Sequence, residues 1–321
     1  MLLEFDNIYQ EQTEKKSQVK DFFHNQTIQL SKPMTYKGLT LVGISNPKKT
    51  DGQRYLTLSD GIKSGSVRIA EVSEAGNVPK LFIQNHSTQP LFIMDGEELI
   101  GAKQNRITNS SFVISPHSTS TIPVSCVEQN RWNYNSRNFS TSDNIIFNKG
   151  RKEKFQDIHN SSDYQTDQRK VWGNIHEKMS KLNSYNSTAS MSDVYKDKDS
   201  ALKDYVSKFK AQDNDIGVIY GIGDKIEGVD IFHGPYLFKH FLPKIIKSCV
   251  LEILDQQIHH SRIPATRFKK FFEDICQLPV TANQDYFGQG HEYRSKKADK
   301  LKANLISHNN LPVHLLGISV H

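Results

Sequence analysis

The sequence has few cysteines and no long apolar run. Its three cysteines, Cys126, Cys249 and Cys276, are widely spaced and embedded in apolar segments, which favours reduced thiols over a disulfide framework. No apolar run approaches the roughly 20 residues of a transmembrane helix, and the first residues lack the charged-then-apolar pattern of a secretory signal. These absences predict a cytoplasmic protein with no membrane partner.

The charge balance is moderately basic. Lys and Arg number 41 against 35 Asp and Glu, a formal charge of +6, which favours phosphate-bearing ligands by long-range attraction. Basic residues gather in 150–154, but an acidic residue lies among them and no nucleic-acid motif is recognisable, so a solvated surface is the preferred interpretation. We therefore expect a small anionic or nucleotide-like ligand and disfavour nucleic acid.

The patterning divides the chain into four regions. Residues 1–26 are polar and predict an N-terminal arm or helix. Residues 27–132 contain short runs of β-branched and aromatic residues separated by turn signals, which is typical of strands. Residues 133–162 are rich in Asn, Ser and Lys, so we expect a long polar loop or lid. Residues 163–321 show helical periodicity, with a β-hairpin and a terminal strand.

Together these regions predict an α+β fold in which a β-sandwich or barrel-like N-terminal half packs against a mainly helical C-terminal half. The hairpin is expected from the apolar runs 215–220 and 228–232. A long helix is expected after Gly234-Pro235, because Pro suits the first helical position and a wide apolar face follows.

A dense polar stretch runs from Asp95 to Arg106 and carries carboxylates, a lysine, amides and an arginine. Pairing it with residues 125–132 would bring together Glu98, Gln104, Arg106, Glu128 and Arg131, with Trp132 as an apolar wall. Arginine matches phosphate or carboxylate and amides add directional hydrogen bonds, so the set suits a polar small molecule. The competing interpretation is a structural rim of Glu–Arg pairs.

Two further chemistries are disfavoured. His86, His117, Asp95, Glu97 and Glu98 offer metal-binding atoms, but their spacing matches no metal motif, so no metal site is predicted. Cys126 between apolar neighbours is more typical of a small core residue than of a nucleophile.

The blocks Asp95-Gly-Glu-Glu-Leu-Ile-Gly-Ala-Lys-Gln-Asn-Arg106, Ile122-Pro-Val-Ser-Cys-Val-Glu128 with Arg131-Trp132, and Gln168 with Val171-Trp172 form a recognisable pattern. It resembles the ARG and rhodanese-phosphatase-superfamily-associated protein domain family, an uncharacterised prokaryotic group. That family was defined by gene neighbourhoods containing ADP-ribosylglycohydrolases and phosphatases. The resemblance therefore implies a role in NAD or ADP-ribose-related metabolism or in bacterial defence, without implying a particular reaction.

The resulting prediction is a protein that binds a nucleotide-derived or ADP-ribose-like polar ligand, either with hydrolysis or, as the alternative, as a non-catalytic ligand sensor or protein-interaction module. Glu98 and Glu128 are the candidate catalytic bases, because apolar neighbours that desolvate a carboxylate raise its pKa. No cofactor or oligomeric state is indicated. The expected ligand-binding residues are Asp95, Glu97, Gln104, Asn105, Arg106, Arg131, Trp132 and Gln168.

Overall fold

The computed structural model of the protein describes residues 17–24, 26–48, 54–73, 79–161, 163–295 and 300–320. The predicted N-terminal arm therefore falls largely outside the described residues. Within its described part, a short strand precedes a 3-10 helix at Val19–Phe23.

The described residues form the following elements in chain order. The helices are α1 (Leu58–Lys63), α2 (Asn148–His159), α3 (Gln168–Lys181), α4 (Met191–Asp197), α5 (Asp199–Lys208), α6 (Pro235–Gln256) and α7 (Ala265–Gln277). The strands are β1 (Ser17–Gln18), β2 (Gln29–Leu30), β3 (Met34–Tyr36), β4 (Leu39–Ser45), β5 (Leu56–Thr57), β6 (Val67–Glu71), β7 (Lys80–Asn85), β8 (Leu91–Ile93), β9 (Glu97–Gly101), β10 (Arg106–Thr108), β11 (Phe112–Ile114), β12 (Ser118–Cys126), β13 (Phe139–Ile145), β14 (Asp215–Ile222), β15 (Lys225–Phe232), β16 (Pro279–Asn283), β17 (His291–Ser295), β18 (Leu301–His308) and β19 (Leu311–Ser319).

The largest sheet is antiparallel and draws strands from both ends of the described chain. Its order is β1-β16-β17-β18-β19-β15-β14-β4-β2, and β3 pairs with β4 outside this path. The predicted hairpin is confirmed, because β14 pairs with β15 and places Val218 opposite Asp230. The predicted long helix is confirmed as α6, which begins at Pro235.

Helices cover both faces of this large sheet. Successive side chains of a strand point to opposite faces. Accordingly, Tyr220 of β14 belongs to an apolar cluster with residues of α6, whereas the preceding Ile219 belongs to a second cluster with residues of α7. In the described part of the chain, no helix is long and apolar enough to cross a membrane.

A second sheet is formed by β13-β9-β10-β12-β7-β6, and we call it the curled sheet. Its two end strands approach each other, because an antiparallel bridge joins Ala70 on β6 to Asn138 just before β13. The enclosed face carries Ile69, Leu81 and Leu99, which are fully buried in one apolar cluster. A separate three-stranded sheet, β11-β8-β5, contributes Ile93 and Phe112 to the same cluster, so the two sheets share one core.

The predicted division into a β N-terminal half and a mainly helical C-terminal half is wrong. Of the described residues, 31% are helical and 36% lie in strands, and the helices are spread along the chain. Six of the strands, β14 to β19, lie after residue 214. The periodic helices α3, α5 and α6 dominate the sequence pattern there, whereas β16 to β18 alternate too irregularly to be distinguished from polar connections.

Residues 133–162 also differ from the loop or lid that their composition predicts. They contain β13, which pairs with β9, and α2, whose Arg151 and Lys154 are buried. A helix with charged residues on its inward face lacks the apolar stripe by which helices are recognised in a sequence. The carboxylates that pair with these buried charges, Asp95 and Asp230, are distant in the chain.

Candidate functional site

The first two carboxylates of the polar stretch bind basic side chains of helices. Asp95 accepts hydrogen bonds from Arg151 Nε at 2.9 Å and from the Lys154 ammonium. Glu97 accepts one from Lys244 Nζ at 2.8 Å. All five side chains are at least nine-tenths buried. These pairs attach the curled sheet to α2 and α6, which is a structural role.

Arg151 extends this network toward the large sheet. Its Nη1 and Nη2 donate to the two carboxylate oxygens of Asp230 at 2.8 and 2.7 Å, and His314 Nε2 lies 3.0 Å from Asp230 Oδ1. Burial alone would raise the pKa of Asp230, but Arg151 and His314 hold it below its usual range. His314 Nδ1 is 2.9 Å from Ser111 Oγ. No local pattern indicates this cluster, because its members are far apart in the chain, with Ser111 and His314 separated by 203 positions.

Glu98 lies on the other face of the curled sheet from Arg106. In the register Glu98 opposes Ile107, while Arg106 opposes Leu99, and neighbouring residues of a strand face opposite sides. Glu98 accepts hydrogen bonds from Ser142, Asn144 and Ser192. Burial raises its pKa despite these donors. The expected convergence of Glu98 with Arg106 in one cleft is therefore corrected.

Asn105, Glu128 and Arg131 hold two loops together. Arg131 Nη2 donates to Glu128 Oε2 at 2.6 Å and to Asn105 Oδ1 at 3.1 Å, and its Nη1 donates to the Ala102 carbonyl at 2.7 Å. Burial would raise the pKa of Glu128, but the bonds from Arg131 and the Asn105 backbone lower it. Gly101 and Ala102 adopt positive φ values of 121° and 42°, which non-glycine residues rarely adopt. The hydrogen bonds of Arg131 therefore stabilise this turn.

Gln168 pairs with a strand edge. At the start of α3, its side chain accepts from the Cys126 backbone N–H and donates to the Cys126 carbonyl, both at 2.8 Å. Gln168 thereby satisfies backbone groups at the end of β12, as a neighbouring strand would. The Cys126 thiol donates to Gln104 Oε1 at 3.1 Å, and burial raises its pKa to about 11. A protonated thiol is a poor nucleophile.

Three of the predicted residues, Gln104, Arg106 and Trp132, lie together with Glu71 and Cys126, which were not predicted, and we call these five residues the Arg106 site. The Arg106 side chain is fully buried and donates from Nη1 to Gln104 Oε1 at 3.1 Å. The Trp132 ring centroid lies 5.7 Å from its Cζ atom, and Trp132 is 43% exposed. The partly exposed Trp132 ring therefore packs against the buried guanidinium. Lys103 lies over the same ring at 5.3 Å.

Hydrogen bonding at the Arg106 site is incomplete. Among the described residues, Arg106 Nε and Nη2 have no acceptor, and neither carboxylate oxygen of Glu71 has a donor. The two groups form a loose ion pair, with Nη2 and Oε1 separated by 3.8 Å, which exceeds a hydrogen-bond distance. Buried polar groups are nearly always hydrogen-bonded, so these four atoms retain the capacity to bind a ligand or water.

Glu71 was missed by the sequence analysis, although a signal was present. It ends β6, and Val67, Ile69 and Glu71 alternate onto one face of that strand. An acidic residue that continues an otherwise apolar face marks a polar group placed inside the curled sheet. Its partner Arg106 was identified, but no local pattern connects the two residues.

The described residues contain no group of three or more His, Cys, Asp or Glu side chains placed to hold a metal ion. The Arg106 site offers hydrogen bonding by a guanidinium and a carboxylate, together with stacking on an exposed indole.

Comparison with known proteins gives one family and no individual relative. No curated protein and no solved structure matches the chain. The family model for the ARG and Rhodanese-Phosphatase-superfamily-associated Protein domain matches residues 27–318, which include every residue of the Arg106 site. The chain therefore belongs to the ARG and Rhodanese-Phosphatase-superfamily-associated Protein domain family.

Proposed function

We propose that this protein binds a nucleotide-derived, ADP-ribose-like polar ligand at the Arg106 site. The observation that carries the proposal is the buried Arg106 guanidinium, with two nitrogens that lack acceptors in the described chain, beneath the exposed ring of Trp132. A guanidinium donates to phosphate or sugar oxygens, and an indole stacks on a nucleobase. The gene neighbourhoods implied by the family resemblance favour ADP-ribose as the first ligand to test.

Binding is favoured over hydrolysis by the positions of the predicted bases. Glu98 faces the opposite side of the curled sheet from Arg106. Glu128 is ion-paired with Arg131 at 2.6 Å and its pKa is lowered, which makes it a weak base. The function that fits is that of a non-catalytic ligand sensor.

Ligand access requires Trp132 to move, because Arg106 is fully buried. Trp132 is suited to such movement, since nearly half of its surface is already exposed and its ring contacts the cations of Lys103 and Arg106 without being enclosed. Binding would replace the contact between the ring and the guanidinium with contacts to the ligand.

Isothermal titration of the purified protein with ADP-ribose, combined with mass spectrometry of the products, tests the proposal. Saturable binding without turnover is expected. Arg106→Ala should weaken binding about ten- to a hundredfold, because it removes a charge-assisted hydrogen bond. Trp132→Ala should weaken it by a similar factor through lost stacking.

Two matched controls separate these effects from general surface changes. Arg169 has a 90% exposed side chain and Tyr185 is 75% exposed, so Arg169→Ala and Tyr185→Ala should leave affinity unchanged. If folded Arg106→Ala and Trp132→Ala both bind ADP-ribose as tightly as the wild-type protein does, the ligand binds elsewhere and the proposed site is wrong. Product formation by the wild-type protein would contradict the sensor role.

A further inference from the structure

The chemistry of the Arg106 site is set by two opposite charges. Glu71 has a side chain only 3% exposed, and its Oε1 lies 3.8 Å from Arg106 Nη2. Both of its oxygens lack hydrogen-bond donors within the residues that the structure describes. A buried ion pair without hydrogen bonds does not offset the desolvation of its charges, so packing alone does not account for this arrangement.

The unused hydrogen-bond acceptors of Glu71 and donors of Arg106 indicate which chemical group of a ligand would fit between them. A carboxylate such as that of Glu71 accepts hydrogen bonds only, and the guanidinium of Arg106 donates only. A bare phosphate suits Arg106 but is repelled by a carboxylate so close to it. A hydroxyl suits both, because its hydrogen is donated to Glu71 while its oxygen accepts from Arg106. Two adjacent hydroxyls would use both oxygens of Glu71 and both remaining nitrogens of Arg106.

The surroundings fit a sugar joined to a stacking group. Trp132, at 5.7 Å from Arg106 Cζ, is exposed at the outer side of the site, where it can stack on a base. Acidic side chains that bind ribose hydroxyls are a common means by which nucleotide-binding proteins recognise ribose.

We propose that Glu71 and Arg106 together bind the vicinal hydroxyls of a ribose, so that the site selects ribonucleotide-type ligands with the sugar inside and the phosphate outside. This inference rests on the proposed function, because it concerns the same site. It adds a residue, Glu71, and a discrimination between ribose and deoxygenated sugars.

The experiment compares ligands that differ only in the two hydroxyls. Wild-type protein is titrated calorimetrically with ADP-ribose, ADP and 2′,3′-dideoxy-ADP. ADP is expected to bind about ten- to a hundredfold more tightly than its dideoxy analogue, because the analogue leaves the buried donors and acceptors without partners. The ligand comparison requires no substitution and therefore does not depend on the folding of a variant.

Variants then assign the discrimination to Glu71. Glu71→Gln and Glu71→Ala should bind ADP more weakly and reduce the preference over dideoxy-ADP to less than about threefold. Glu273→Gln, on an exposed pair in α7, is the matched control and should retain the full preference. Circular dichroism identifies the variants that are folded. If Glu71→Ala is unfolded, the test uses Glu71→Gln, which is closer in size to the wild-type residue.

Failure of the inference is distinguishable from failure of the proposed function. Equal affinity of wild-type protein for ADP and its dideoxy analogue overturns ribose recognition and leaves nucleotide binding intact. A preference that persists in the folded Glu71 variants overturns the role of Glu71. If the wild-type protein binds none of the three ligands, including ADP-ribose, the proposed function and this inference are both refuted.

Discussion

Removing one carboxylate from the buried ion network should be far more damaging than removing an exposed one. Asp230 is fully buried and accepts bonds from Arg151 at 2.8 and 2.7 Å. Asp230→Ala leaves Arg151 buried with only Asp95 as a charged partner. Losing one partner of a buried pair costs about 3–5 kcal/mol, and we expect that decrease in the free energy of unfolding from urea titration at pH 7.

Asp213→Ala is the matched control. Asp213 is 2.9 Å from Lys239, a comparable distance, but its side chain is 99% exposed, so the expected loss is about 0–1 kcal/mol. The lowered pKa of Asp230 means that its contribution is present above the ordinary Asp pKa of about 3.9 and is lost as pH falls. The difference between wild type and Asp230→Ala should therefore shrink toward pH 3. Equal losses in the two variants at pH 7 would refute the reasoning.

Three other predictions concern buried titratable groups. Burial, with Lys302 and Arg294 nearby, lowers the pKa of His159 to about 4, so as pH falls the unfolded chain takes up a proton before the folded protein does. The free energy of unfolding of wild type should therefore fall by on the order of 2–3 kcal/mol between pH 6.5 and 4, and urea titration of His159→Gln should show a smaller decrease. Glu98 has a raised pKa, so its ionisation above the ordinary Glu pKa destabilises the folded protein. The free energy of unfolding of Glu98→Gln relative to wild type should therefore increase from pH 4 to pH 8, and a difference that stays constant with pH would contradict this. Cys126, with a pKa raised to about 11, should resist iodoacetamide in native protein at pH 7.5 and react after unfolding, as peptide mass spectrometry can show.

The elements that were predicted from sequence are those with local patterns. The apolar face of α6 and the apolar runs of β14 and β15 require no knowledge of distant residues, so local pattern indicates them directly. The curled sheet was only partly visible, because β9 carries the buried Glu97 and Glu98. Burial of such residues depends on partners such as Lys244, 147 positions away in the chain.

The candidate site could likewise be predicted only in part from the sequence. Arg106 and Trp132 were identified from a dense polar stretch and from the family resemblance, and they lie together. Asp95 and Gln168 belong to the same motifs but bind other parts of the protein. A motif therefore marked residues that hold the fold together as well as residues that line the site, since both kinds are polar and buried, and only tertiary contacts separate them.

The central claim is that a nucleotide-derived ligand binds between Arg106 and Trp132. The chain has two tryptophans, so Trp172→Phe leaves Trp132 as the only indole, and its fluorescence during titration with ADP-ribose reports directly on this site. The account predicts a saturable change in Trp132 emission that requires about tenfold or more additional ligand in the Arg106→Lys background, where the planar guanidinium is lost. Emission that stays constant while calorimetry detects ADP-ribose binding would contradict it.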